Sequence, residues 1–84
     1  MKKISFSQHA LEQIKERGTS RLEVEEAIRN GEQIPAKKGR IAFRYNFQFN
    51  AKWQDKEFAI KQVMPIVVEE NGGYIVVTVY TFYF

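Results

Sequence analysis

Cysteine is absent from this 84-residue chain, and histidine occurs once, as His9. Without cysteine there is no disulfide, no thiolate nucleophile and no thiolate zinc site, so redox chemistry is not expected and a reducing compartment is compatible. A single histidine argues against a histidine-rich metal centre, and neither metal nor cofactor is expected. No run approaches the roughly 20 apolar residues of a membrane span. Lys2 and Lys3 are followed only by Ile4 and Phe6 before polar residues, which is no signal-peptide core. The expectation is a cytoplasmic chain with no membrane partner, or a domain of a larger protein. Repeats, linkers and low-complexity tracts are lacking too, so residues 1–84 read as a single domain able to build one core.

What is present begins with charge. The formal net charge is +3, and its distribution is uneven. Residues 7–36 hold four basic and six acidic side chains, whereas residues 37–62 hold seven basic and two acidic ones. A basic middle segment suits an anionic partner such as RNA; a solvated lysine-rich surface would give the same count.

Two helices open the chain. Ser7 can cap the first, Phe6 and Leu11 have the spacing of a hydrophobic staple, and Ala10, Leu11 and Ile14 form an apolar stripe. Gly18 is a stop signal. Ser20 with Glu23 makes a capping box for the second helix, whose apolar set is Leu22, Val24, Ala27 and Ile28, and Asn30 with Gly31 ends it.

After Pro35 the hydrophobic period changes from that of a helix to that of a strand. Ile41, Phe43, Tyr45, Phe47 and Phe49 alternate with Ala42, Arg44, Asn46 and Gln48, the pattern of a half-buried strand. Asn50 to Lys56 reads as a turn, Glu57 to Glu69 as a second strand, Asn71-Gly72-Gly73 as a hairpin, and Tyr74 to Phe84 as the last strand. Pro65 cannot donate to a ladder, so its strand should have an edge or a bulge there. Short strands at Lys3 to Phe6 or Gln33 to Ala36 fit as well.

Helices followed by strands predict an α+β fold, with two N-terminal helices packed on one face of a three- to four-stranded antiparallel sheet. The covered face should carry Phe43, Phe47, Ile75, Val77 and Val79. The opposite face should then carry Arg44, Asn46, Gln48, Thr78 and Tyr80. On the middle strand Phe58, Ile60, Met64, Ile66 and Val68 read as inward, with Lys61, Val63 and Val67 outward.

The string FSQHALEQIKERGTSRLEVEEAIRNGEQI resembles the start of domain-of-unknown-function family 4258, whose pattern runs roughly F-[ST]-x-H-A-x-x-R-[ML]-x-x-R-G-[IV] and then E-V-x-x-A-[IL]-x-x-G. The ending YIVVTVY is similar to the family's closing strand. The family in turn looks related to the RelE superfamily, within the barnase, EndoU, colicin and RelE-like toxins. The resemblance implies a single RelE-like domain and a toxin-like, metal-independent endoribonuclease of a toxin–antitoxin or related system. It carries over to His9, to Arg17 before the glycine, and to Thr78 and Tyr80 in the last strand. Gln13 departs from it where arginine is common, and Thr19 where an aliphatic residue is.

Metal-free RNA cleavage by 2′-hydroxyl attack needs a base, cations for the phosphate and an acid for the leaving 5′-oxygen. His9, beside the positive end of the first helix, suits a base better than a resting acid. Arg17 lies within about 80° of it around the helix axis, with Gln13 between them, so the three form a polar stripe. Arg17, Arg44 and Lys61 can hold phosphate, arginine with the better fork geometry, and Gln13 is a further candidate RNA or phosphate contact. Tyr80 can donate a proton or stack on a base, and Thr78 can bond a phosphate oxygen. The same residues also have structural roles: a surface histidine at a helix start, an arginine complementing a helix C-terminus, and ordinary strand formers.

In TVYTFYF, Tyr80, Phe82 and Phe84 share a face opposite Val79, Thr81 and Tyr83, so both sides of the strand are apolar. A second copy, or an antitoxin-like protein partner, is expected to cover the side that the helices leave open. Two function classes follow: the endoribonuclease, and a non-catalytic module of the same fold that binds RNA or protein.

Overall fold

Ser7 and Ser20 begin the two helices as their spacing predicts. The Ser7 hydroxyl accepts from the Ala10 amide (3.1 Å) and that of Ser20 from the Glu23 amide (3.1 Å), so each satisfies a donor that the first turn leaves unpaired. In the computed structural model, which describes residues 2–84, these helices are α1 (Gln8–Glu16) and α2 (Arg21–Asn30). The strands are β1 (Ile4–Phe6), β2 (Glu32–Pro35), β3 (Ile41–Trp53), β4 (Lys56–Glu70) and β5 (Gly73–Tyr83), with a short 3-10 turn at Lys37–Gly39. No helix is long and apolar enough to cross a membrane among the described residues.

The α+β class stands, but the sheet is larger than expected and mixed. Its order is β1-β5-β4-β3-β2, with β1 parallel to β5 and every other pair antiparallel. Both short segments therefore form strands. Three residues of β1 are too few to show a period. What holds them is long-range: the Tyr74 amide donates to the Lys3 carbonyl (2.8 Å) and the Ser7 amide to Val76 (2.9 Å). Gly73 permits the approach, since a Cβ there would stand 2.8 Å from the Lys3 carbonyl oxygen.

The turn expected at Asn50 to Lys56 is shorter. β3 continues through a bulge between Gln48 and Ala51, where Asn50 takes a φ of 45°, and reverses only at Gln54 and Asp55, both at positive φ. The Asn71–Gly72 hairpin forms as read, with φ of 52° and 75°.

The faces of β4 are the reverse of the expectation for most of its length. Val63 and Val67 are fully buried and Lys61 is 7% exposed under the helices, while Ile60, Met64, Ile66 and Val68 lie on the other face, half-buried. Both alternating sets are apolar, so burial follows size: slim valines let the helices approach the sheet, and the bulkier set faces out. Phe58 alone joins the covered side, its ring 5.7 Å from that of Tyr83. A bulge between β4 and β5 leaves Val77 without a partner, because Ile66 pairs with Thr78 and Val67 with Val76. It turns Tyr74 and Val76 inward and Ile75 outward, where strict alternation had placed Ile75 and Val77 inside. Pro65 sits in a central strand, one residue from this bulge, and the β3–β4 ladder is interrupted beside it.

The core joins Ala10 and Ile14 of α1, Val24, Ala27 and Ile28 of α2, and Phe43, Val63, Val67, Val76 and Val79 of the sheet. Both helices thus lie on one face. The other face carries Arg44, Asn46, Gln48, Thr78 and Tyr80, as read, and no element of the described chain covers it.

Candidate functional site

β1 pairs with β5 only as far as Val76, so the rest of β5 would be a bare edge. Helix α1 closes it. The Gln13 amide oxygen accepts from the Val79 backbone N–H (2.7 Å), standing in for the missing strand neighbour. At the helix end Gly18 takes a φ of 74°, and the Thr19 amide donates back to Ile14 (3.2 Å), a Schellman-type stop. This turn presents two carbonyls to the sheet. That of Arg17 accepts from Thr81 Oγ1 (2.9 Å) and Tyr83 Oη (2.7 Å), and that of Gly18 from Lys61 Nζ (3.0 Å). A Cβ on Gly18 would meet Trp53 at 2.4 Å and Tyr83 at 2.7 Å, so glycine is required by contact as well as by φ.

Lys61 and Gln13, read as phosphate contacts, are held in this clamp. Lys61 also pairs with Glu23 (2.7 Å) and lies 5.3 Å from the Phe49 ring centroid, so its charge is neutralised beneath the helices. Gln13 is 6% exposed with its oxygen engaged. In this arrangement both position α1 and neither presents its polar group to an external phosphate. The Tyr83 hydroxyl donates from a partly buried site, and burial raises its pKa above the ordinary 10.0 against the opposing effect of Thr81.

Arg17 and Tyr80 come together. The Arg17 guanidinium reaches past the sheet edge and stands 5.2 Å from the centroid of the Tyr80 ring, on the open face. Thr78 lies two residues back on that face, half-buried opposite Ile66. Tyr80 pairs with Met64, and the register held on either side of Pro65 sets Arg44 opposite Met64, so Tyr80, Met64 and Arg44 form one row. Arg44 is exposed and pairs with Glu32 across the β2–β3 ladder.

His9 is exposed. Around the axis of α1, Ala10 and Ile14 lie about 60° and 100° to one side of Gln13, and His9 about 40° to the other. Gln13 points at the edge of β5 and Ala10 and Ile14 into the core, so His9 projects on the edge flank, away from the core. The Ser7–Val76 and Gln13–Val79 bonds place it alongside the Val77 bulge.

Phe82 was legible only as a residue needing cover. It is 41% exposed beside Tyr80 (37%), their rings 6.3 Å apart and within 19° of parallel. In the next row Gln62 Nε2 donates to Asn46 Oδ1 (2.9 Å). Alternation placed Phe82 on this face; its pairing with Tyr80 needs only the i, i+2 spacing of a strand. Among the described residues, no group of His, Asp and Glu side chains converges as a metal site would require.

Fold and site together define an α+β domain in which an amphipathic helix closes a sheet edge and leaves one face open. Residues 6–81 match the family model described as a domain of unknown function, DUF4258, and the chain belongs to that family. No curated protein and no solved structure matches it.

Proposed function

We propose that the chain acts on RNA at the closed edge of β5 and the adjoining open face, as a RelE-like, toxin-like endoribonuclease that needs no metal. The observation that carries this reading is the Arg17 guanidinium held over the Tyr80 ring at the edge, with His9 two turns earlier on the same helix. His9 accepts the 2′-hydroxyl proton and the 2′-oxygen attacks phosphorus. The bond to the 5′-oxygen breaks as that oxygen takes a proton from Tyr80, leaving a 2′,3′-cyclic phosphate and a 5′-hydroxyl. Arg17 neutralises the crowded phosphate, assisted by Thr78, while Arg44 anchors the chain further across the sheet. Gln13 and Lys61 are positioning residues: they hold α1 in place. An antitoxin-like partner laid over Phe82 and Phe84 would block the same surface.

A second reading is a non-catalytic RNA-binding module of the same fold. The burial of Gln13 and Lys61 favours it, since among the described residues it leaves Arg17 as the one cation at the Tyr80 ring. Incubation of RNA with wild type and His9→Ala in EDTA decides between them. The endoribonuclease reading expects cyclic-phosphate ends from wild type and a drop of roughly 10²- to 10⁴-fold in the variant. Binding without cleavage by the folded wild-type protein would support the second reading; neither binding nor cleavage would sink both.

A further inference from the structure

We propose that the open face is a stacking platform for a short single-stranded RNA segment, in which the exposed ring of Phe82 takes a base and the Arg17–Tyr80 pair beside it takes the adjoining phosphate. The proposal rests on the RNA-directed reading above and names the form of RNA that it admits. Two aromatic rings, both more than a third exposed, sit side by side and nearly parallel at 6.3 Å on a face that no helix covers. An aromatic face accepts any base by stacking, but only from a strand whose bases are not already paired and stacked within a duplex.

The groups around the rings fit the rest of a nucleotide. Arg17, 5.2 Å from the Tyr80 centroid, stands at one border as a phosphate partner. Arg44 lies two strands away in the same row, at about 10 Å by the spacing of strands. Its pair with Glu32 is exposed on both sides, so exchange for a phosphate costs little. The Gln62–Asn46 pair in the Phe82 row offers amide groups to base edges. Beyond Arg44, β3 begins next to Lys37, Lys38 and Arg40, three cations without an ion pair among the described residues. A strand running from Arg17 across the rings and Arg44 toward this loop meets cations at both ends and apolar rings between them. Charge decides the occupant: a purely apolar partner would leave Arg17 and Arg44 facing it.

The test is fluorescence anisotropy with a labelled single-stranded RNA decamer and the blunt duplex of the same sequence, in EDTA and with 2′-O-methyl groups, which bar cleavage. The single strand should bind at least tenfold tighter than the duplex. Phe82→Ala should weaken it about tenfold while Phe82→Tyr retains it. Arg44→Gln should lower the slope of log affinity against log salt by about 0.7. Circular dichroism of each variant separates lost binding from lost folding. Equal affinity for duplex, or a folded Phe82→Ala that binds as wild type does, overturns the platform even where the cleavage assay succeeds. Tight single-strand binding by a protein that cleaves nothing upholds it while the catalytic reading falls. A wild-type dimer that Phe82→Ala dissociates without changing RNA affinity would assign the face to a second copy and overturn the proposal.

Discussion

The two faces of the β4–β5 hairpin are built from similar proportions of apolar residues and reach opposite ends. On the covered face stand small valines at positions 63, 67, 76 and 79, fully buried, together with a lysine whose ammonium is held by the Gly18 carbonyl and Glu23. On the open face stand Met64, Ile66, Tyr80 and Phe82, larger and only half-buried or exposed. Stability is therefore concentrated where side chains are small and satisfied, and the large aromatic rings are left free for contact with something else. Substitutions on the covered side should break folding, and those on the open side should break binding.

Lys61→Ala tests the covered side hardest. It leaves Glu23 half-buried without its cation and the Gly18 carbonyl without its donor, so unfolding in denaturant should show a loss of about 3 kcal/mol. Gln13→Ala removes the acceptor of a buried amide on Val79 and should cost about 2 kcal/mol, with faster hydrogen exchange at Val79. An unchanged exchange rate would mean that α1 does not guard that edge.

Tyr83→Phe should cost about 1 kcal/mol through the lost bond to the Arg17 carbonyl. It also has a pH signature. Because the folded-state pKa of Tyr83 is raised above the unfolded value near 10.0, its contribution is fully present below that pH and is lost as pH rises toward the folded pKa. Melting temperatures followed from pH 8 to pH 11 should fall in wild type, and the fall should be smaller in Tyr83→Phe. The smallest effect on folding is expected from Phe82→Ser, within about 0.5 kcal/mol, since its ring is largely exposed. A loss of more than 2 kcal/mol there would show that the open face is part of the core after all.

The helix starts and the alternation of β3 were legible, because each rests on residues a few positions apart: Ser7 with Ala10, Ser20 with Glu23, Phe43 with Tyr45 and Phe47. The facing of β4 was not, because both of its alternating sets are apolar and only the helices choose between them. The Val77 bulge has no local signature either; without it, Ile75 would face the core. In the site, the polar stripe of His9, Gln13 and Arg17 was visible from helical spacing. The division of labour within it was not. Gln13 meets an amide 66 residues away, and Lys61 meets a helix end 43 residues away, contacts that no period encodes.

The most direct test of the contrast between the faces is an amide NMR titration with a short single-stranded RNA. Shift changes are expected at Arg17, Arg44, Tyr80 and Phe82 and at the side-chain amides of Asn46 and Gln62, with Val63, Val67 and the Lys61–Glu23 clamp unmoved. No change at any of these positions, or changes confined to the helix-covered side, would contradict that contrast.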